Sequence, residues 1–186
     1  MEYVTTELKG VIGAQYAAPQ GRILMNPFKD VKTSAWYGSY VIDLYNDGII
    51  NGTSATTYAP NDTLTWAAAL KLLLVSHGDL KAADATGADW SKNTIAKAAE
   101  LGLVAADLDG AKAISRLEFC QVAAKLNKLA ESKTESKFTD CTDGYVMALV
   151  DAKVISGMTE TTFEPAASLT RAQIAKILYQ LTLIEK

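Results

Sequence analysis

Apolar positions recur at spacings of three and four near the end of the chain. Ile174, Ile177, Leu178, Leu181 and Ile184 there predict an amphipathic helix facing a core. Leu117, Cys120, Ala124 and Leu126 approximate the same stripe in the middle of the chain. Trp36, Tyr40, Leu44 and Tyr45 predict an earlier helix, which Asp47-Gly48 ends with residue types that suit a helix C-terminus. The apolar pairs Ile49-Ile50 and Val154-Ile155 pin the loops they begin to the core, and Pro60 and Pro165 stop any longer regular element. Thr5 to Tyr16 reads as a helix ended by Ala18-Pro19, weakened by Gly10 and Gly13. The most apolar stretch, Ala67 to Val75, contains Lys71 and falls short of the roughly 18 to 20 residues that cross a bilayer.

These elements repeat. Aligning residues 40 to 74 with residues 145 to 179, an offset of 105, gives 13 identities in 35 ungapped positions, well beyond chance. Gly52 pairs with Gly157, Pro60 with Pro165, and Leu64-Thr65 with Leu169-Thr170. A weaker middle copy matches Asp30 to Asp84 and Trp36 to Trp90 at an offset of 54, and Thr65-Trp66 to Ser115-Arg116 at 50. It has lost four residues, and the proline, between Gly102 and Ile114. The third copy matches Phe28 and Asp30 with Phe138 and Asp140 at 110, so it lacks five residues, the tryptophan position among them. Such a period signals modular architecture, each copy reading as helix, glycine-bearing loop, helix.

Three tetrads open the second helices: Thr65-Trp66-Ala67-Ala68, Ser115-Arg116-Leu117-Glu118 and Thr170-Arg171-Ala172-Gln173. The last two are capping boxes, in which hydroxyl and Glu or Gln side chains satisfy helix amides reciprocally. The arginines need another reason, because a cation in the first turn opposes the helix dipole at about 0.3 to 1 kcal/mol. Either an anion is gripped between guanidinium and free helix amides, or the arginine makes a surface salt bridge.

Composition narrows the chemistry. With 186 residues, 49% hydrophobic and 21% charged, the chain can bury a substantial core. A net charge of -3 removes the broad basic footprint expected of a nucleic-acid binder. His77 is the only histidine, which excludes multi-histidine metal sites and leaves one imidazole for any nucleophilic mechanism. Neither a glycine-rich phosphate loop nor a Gly-Lys-Ser/Thr is present. Asp107-Leu108-Asp109-Gly110 resembles the start of a calcium loop but lacks the twelfth-position glutamate, and reads as a turn. Cys120 and Cys141 are two buried thiols or a single bridge. The polar run Glu131 to Lys137 reads as a linker. Met1 to Glu7 lacks the basic end and apolar middle of a signal peptide, so the chain is intracellular or a mature or trimmed piece.

The order Phe28-Lys29-Asp30-Val31, Trp36, Gly48-Ile49-Ile50-Asn51-Gly52, Tyr58-Ala59-Pro60, Leu64-Thr65 resembles the S-layer homology motif. The third copy repeats it as Phe138-Thr139-Asp140, Val154-Ile155-Ser156-Gly157, Phe163-Glu164-Pro165 and Leu169-Thr170-Arg171-Ala172-Gln173. The resemblance implies a mainly α fold: three helix-loop-helix motifs in a pseudo-threefold, three-pronged spindle, spanning residues 28–80, 81–132 and 133–186 after a lead segment, 1–27. It also implies a non-catalytic module, without cofactor or metal, that binds pyruvylated secondary cell-wall polysaccharide in grooves between motifs. Such a module sits outside the cell at the bacterial cell wall or S-layer, anchoring S-layer or fused envelope proteins, with no nucleic-acid partner and no membrane insertion.

Carried onto this chain, the resemblance assigns the signature arginines to Arg116 and Arg171, with a pyruvyl carboxylate as their anion. Trp36 and Trp90 fall at its aromatic position, as sugar platforms or helix anchors. Asp30, Asp84 and Asp140 are either acceptors for sugar hydroxyls or caps of the following helix or turn. Gly52 and Gly157 allow close approach of a ligand or only a sharp turn. The first copy departs by carrying Trp66 and Ala68 where the arginine and the Glu or Gln belong, so its groove is expected to be silent or altered. The middle copy lacks the aromatic-x-Pro loop and the third lacks the tryptophan, leaving one or two working grooves. The alternative is a structural or protein-interaction module of the S-layer with degenerate glycan grooves.

Overall fold

A computed structural model describes residues 14–17 and 23–184. Two short strands, β1 (Ala14–Ala17) and β2 (Ile23–Asn26), precede α1 (Gly38–Asn46), α2 (Trp66–His77), α3 (Trp90–Glu100), α4 (Arg116–Leu126), α5 (Gly144–Asp151) and α6 (Arg171–Thr182). The chain is thus mainly helical, and each copy of the repeat supplies a first helix and a tetrad-opened second one.

The tetrads cap their helices as their residue types dictate. Thr65, Ser115 and Thr170 each accept a hydrogen bond from the third helical amide, an interaction typically worth about 1 kcal/mol. Glu118 and Gln173 close capping boxes on α4 and α6, whereas Ala68 leaves α2 with the one-way cap.

The two amides before the capped one are satisfied by a different copy of the repeat. In α2, Trp66 and Ala67 donate to the Lys112 and Gly110 carbonyls of the middle copy. In α4, Arg116 and Leu117 donate to Ala167 and Pro165 of the third, and in α6, Arg171 and Ala172 donate to Asp62 and Pro60 of the first. The order first to middle, middle to third, third to first closes a ring. Helix packing follows it, with α2 against α3, α4 against α5 and α6 against α1, while α2 also touches α4 and α6. Among the described residues no packed pair joins the two helices of one copy. Leu64, Ile114 and Leu169, just before the caps, are buried where the copies meet; Leu64 N–H donates to the Leu169 carbonyl at 3.3 Å and Ile114 N–H to that of Leu64 at 3.2 Å.

Before α1 the structure departs from the sequence reading. Residues 5–13 of the expected Thr5 to Tyr16 helix lie outside the described residues, and Ala14–Ala17 is a strand antiparallel to β2, with Tyr16 opposite Leu24. The physical reason is a tertiary anchor. The Asn46 carboxamide at the end of α1 accepts from Met25 N–H at 3.0 Å and donates to the Met25 carbonyl at 2.8 Å, mimicking a neighbouring strand. Other segments behave as read or are tied more firmly. Cys120 and Cys141 are buried free thiols. Asp109 accepts from Ala111 N–H in a tight turn, and Gly110 beside it is a docking point of the ring. The run Glu131 to Lys137 is no free linker, since Ser132 N–H donates to the Gly144 carbonyl and its hydroxyl to Asp151.

Asn46→Ala removes both Met25 bonds and is expected to cost about 1–3 kcal/mol. The melting temperature falls, and the amides of β2 exchange faster than those of α6. Equal protection of the two segments in the variant would show that the hairpin is held by other contacts.

Candidate functional site

The site begins with the two aromatic-x-Pro loops. Tyr58 and Phe163 are fully buried, and the residues that follow, Ala59 (φ 57°) and Glu164 (φ 61°), are left-handed although neither is glycine. That conformation costs roughly 1–2 kcal/mol per residue. Asp30 and Asp140 offset it. Asp30 accepts from Tyr58 N–H at 2.9 Å and Ala59 N–H at 2.7 Å; Asp140 accepts from Phe163 and Glu164 N–H, both at 2.8 Å. The same two amides hold the Asp140 carboxyl below its ordinary pKa, against the opposing effect of desolvation. Of the two roles open for these aspartates, the geometry displays the structural one. Gly52 and Gly157 are as confined: a Cβ at Gly52 would strike the Ser54 and Thr57 carbonyls and the Phe28 ring, and one at Gly157 the matching Thr159, Thr162 and Phe138 atoms.

Each signature arginine lies on the aromatic of another copy. The Arg171 guanidinium stacks 4.5 Å from the Tyr58 ring centroid, with Nε donating to the Tyr58 carbonyl at 2.7 Å and Nη2 to the Asn51 carbonyl at 2.8 Å. The Tyr58 hydroxyl returns a bond to the Arg171 carbonyl, and burial pushes its pKa to about 12 despite the nearby cation. Arg116 repeats the arrangement, 4.6 Å over Phe163 with Nη2 donating to the Ser156 carbonyl at 2.7 Å. Here Nε has no hydrogen-bond partner, and the residue is only 7% exposed. Burial lowers the Arg116 pKa, with Cys120 and Glu164 acting in the opposite direction, and guanidinium remains a cation. Neither arginine fits the surface salt bridge. The free helix amides expected beside them are occupied too, because the ring uses the first two and the cap the third.

The two arginine-bearing interfaces then diverge. Beside Arg116 an open groove of about 330 Å³ is lined by Trp36, Gly157, Met158, Gln173 and Lys176, with Trp36 57% exposed. Sequence reasoning had singled out Arg116, Trp36 and Gly157 separately, and the fold brings them together across three copies. Lys176, Gln173 and Met158 it had not assigned to a site. Lys176 left a trace, since Lys71 is identical to it at the 105-residue offset. At the Arg171 interface the equivalent lysine and tryptophan close on each other, Lys71 Nζ lying 5.2 Å over the half-buried Trp90 ring. Desolvation lowers the Lys71 pKa. Asp84 is exposed in a copy that lacks the aromatic-x-Pro amides.

The third interface explains two departures at once. Trp66, in the place of an arginine, opens the helix that docks on the middle copy, and that copy has lost the aromatic-x-Pro loop an arginine would stack on. Gly110 accepts the Ala67 amide in place of a proline, and a Cβ there would strike Ile95. The missing arginine and the missing loop are one altered interface. His77 lies elsewhere, paired with Asp79 in a small cavity of about 100 Å³ with Asn127 and Thr182. Among the described residues no group of three or more His, Cys, Asp and Glu side chains converges.

An S-layer homology domain family model matches residues 27–69 and 139–175. The chain is similar to an endoglucanase of Bacillus sp. (strain KSM-635), 29% identical over 179 residues, covering 83% of this chain and 18% of that protein. It is 40% identical to a surface-layer 125 kDa protein of Lysinibacillus sphaericus over 84 residues, 41% of this chain and 7% of the other. An amylopullulanase of Thermoanaerobacterium thermosulfurigenes is 26% identical over 188 residues, 90% of this chain and 10% of that enzyme. The chain thus spans less than a fifth of each relative.

Two substitutions test the structural roles. The folded Asp140 pKa lies below the unfolded value of about 3.9, so its stabilising effect is complete above that value and is lost as pH falls through the folded one. Asp140→Asn should lower the melting temperature at neutral pH and flatten its fall below about pH 4; an unchanged acid limb would refute the clamp. Arg171→Ala should cost about 1–3 kcal/mol in denaturant unfolding, because the Tyr58 and Asn51 carbonyls lose their donor.

Proposed function

We propose that the chain is a non-catalytic anchoring module that binds pyruvylated secondary cell-wall polysaccharide in the groove beside Arg116, a reading supported by the S-layer homology domain match at residues 27–69 and 139–175. The family match and the similarity to a surface-layer protein put the chain at the cell surface, associated with the cell wall. Among the described residues no helix is long and apolar enough to cross a membrane. Its reading as three motifs over residues 28–80, 81–132 and 133–186, in a three-pronged spindle, is supported by the ring of hydrogen bonds between the copies.

The observation that carries the proposal is the groove itself. Lys176 and Arg116 give one part of it positive charge, suited to a pyruvyl carboxylate, and Trp36 presents an exposed indole on which the C–H face of a sugar packs. Arg116 acts mainly by fixing the wall: its bond to Ser156 and its stacking on Phe163 hold the loop that carries Gly157 and Met158. Lys176 is the cation free to turn toward the ligand. The Arg171 interface, with Lys71 over Trp90, is the weaker binder, so this chain works through one groove.

S-layer or fused envelope proteins are the cargo such a module holds to the wall. The endoglucanase and the amylopullulanase are enzymes by name, each with most of its length outside the region this chain matches. A structural or protein-interaction module of the S-layer is the second reading, and the altered interface at Trp66 favours it.

Calorimetric titration with purified secondary cell-wall polysaccharide, before and after removal of its pyruvyl groups, decides between them. Saturable binding should vanish with the pyruvyl groups. Lys176→Gln should weaken it about tenfold or more, as expected for a desolvated charge-assisted bond. Lys71→Gln should leave the affinity within about twofold. A folded protein that binds neither form would establish the second reading.

A further inference from the structure

One wall of the groove carries a sulfur atom. Met25 is half-buried and Met147 only 4% exposed, whereas Met158 is 46% exposed and lines the groove with Trp36, Gln173 and Lys176. Its backbone is pinned. Met158 N–H donates to the Thr162 carbonyl at 2.9 Å, and Gly157 before it is confined by the Thr159 and Thr162 carbonyls and the Phe138 ring. A fixed loop therefore holds the thioether at the surface. Gln173 faces it from α6. The capping box orients the Gln173 carboxamide, with Oε1 accepting from Thr170 N–H at 2.9 Å, and Nε2 is thereby directed at Met158 Sδ, 4.0 Å away. A thioether is a weak acceptor, so a donor of fixed direction meets a poor partner.

Of the two arginine-bearing interfaces only this one has the pair. At the offset of 105 residues Thr53 and Ala68 stand in the places of Met158 and Gln173, so the Arg171 interface, where Lys71 covers Trp90, has neither the sulfur nor the amide. A hydroperoxide changes what the pair can do. The sulfur lone pair attacks a peroxide oxygen, an S–O bond forms and the O–O bond breaks; the departing oxygen takes the proton and leaves as water or an alcohol. Sulfur loses two electrons and the peroxide gains them. The sulfoxide oxygen is a far better acceptor than the thioether, and an oxygen added on the Gln173 side of the sulfur brings the 4.0 Å gap into hydrogen-bond range. The thiols compete poorly, because Cys120 is fully buried with its pKa pushed up to about 12 by that burial, and Cys141 is 7% exposed.

We propose that Met158 is an oxidation site that tunes the groove, its sulfoxide accepting a hydrogen bond from Gln173 Nε2. Oxidation replaces an apolar part of the wall by a polar one and engages the Gln173 amide, which is then lost to a ligand. The oxidised module therefore holds its glycan more weakly, and reduction of the sulfoxide restores the grip. The effect on affinity rests on the groove being the glycan site; the oxidation and the new hydrogen bond do not.

The test treats the full chain with hydrogen peroxide and follows each methionine by peptide mass spectrometry as it gains an oxygen. Met158 should react roughly tenfold or more faster than Met147, and the side-chain amide resonances of Gln173 should move as the sulfoxide accumulates. Neither readout needs a glycan. Titration with pyruvylated secondary cell-wall polysaccharide should then show binding about fivefold to tenfold weaker after oxidation, recovered by treatment with methionine sulfoxide reductases. Met158→Leu, whatever its own affinity, should bind equally before and after peroxide. Oxidation of Met147 as fast as Met158, or a Gln173 amide that does not respond, would overturn the site. Unchanged affinity with Met158 fully converted, or an equal loss in Met158→Leu, would overturn the tuning while leaving the groove intact. An untreated protein that binds no polysaccharide would instead remove the groove reading and the tuning with it.

Discussion

A helix cannot satisfy the first amides of its own opening turn. In this chain the Ser or Thr cap takes the third amide, and the first two are placed against the loop carbonyls of a different copy. No copy is therefore complete by itself. The same exchange pairs each second helix with the first helix of the copy it docks on, including α6 with α1, so the two ends of the described chain are joined by packing. Stability follows from closing the ring, and a weak copy is tolerated if its neighbours still present carbonyls at the right places. The middle copy does so with Lys112 and Gly110 after losing its proline.

The grooves follow from the same constraint. An arginine that opens a helix projects beside the amides its helix donates, so it reaches the aromatic of the docked copy and not that of its own. The groove beside Arg116 consequently takes its arginine from one copy and its loop from another. That arrangement turns a set of near-identical sequence signatures into unequal interfaces. Lys71 over Trp90 covers one indole, while Trp36 remains exposed beside Lys176. The aspartates and glycines of the signature stand behind the groove, holding a strained left-handed residue and a tight loop in place. Their constancy within the repeat reflects backbone geometry as much as any ligand.

How much of this was legible in the chain depends on the range of the forces involved. Helix starts were readable because a Ser or Thr followed three residues later by Glu or Gln is a local hydrogen-bonding circuit, and both such circuits form. Loop glycines such as Gly52 and Gly157 were readable for the same local reason. The hairpin was not. Its β2 strand is held by Asn46, 21 residues away, and the preceding sequence by itself suggested a helix. Nor was the partner of each arginine, since Arg171 and Tyr58 are 113 residues apart.

The sequence by itself determined that the chain is a helical repeat with capped second helices and a family signature, because spacing, capping and identity between copies are properties of neighbouring residues. Only the tertiary structure decided which copy completes which. It also made Arg116 a buried strut and tied the half-buried Arg171 to the Tyr58 and Asn51 carbonyls, and it left one groove open with Lys176 in it. Those outcomes depend on packing across the ring, where a lost loop in one copy and a lost arginine in another prove to be opposite sides of a single interface.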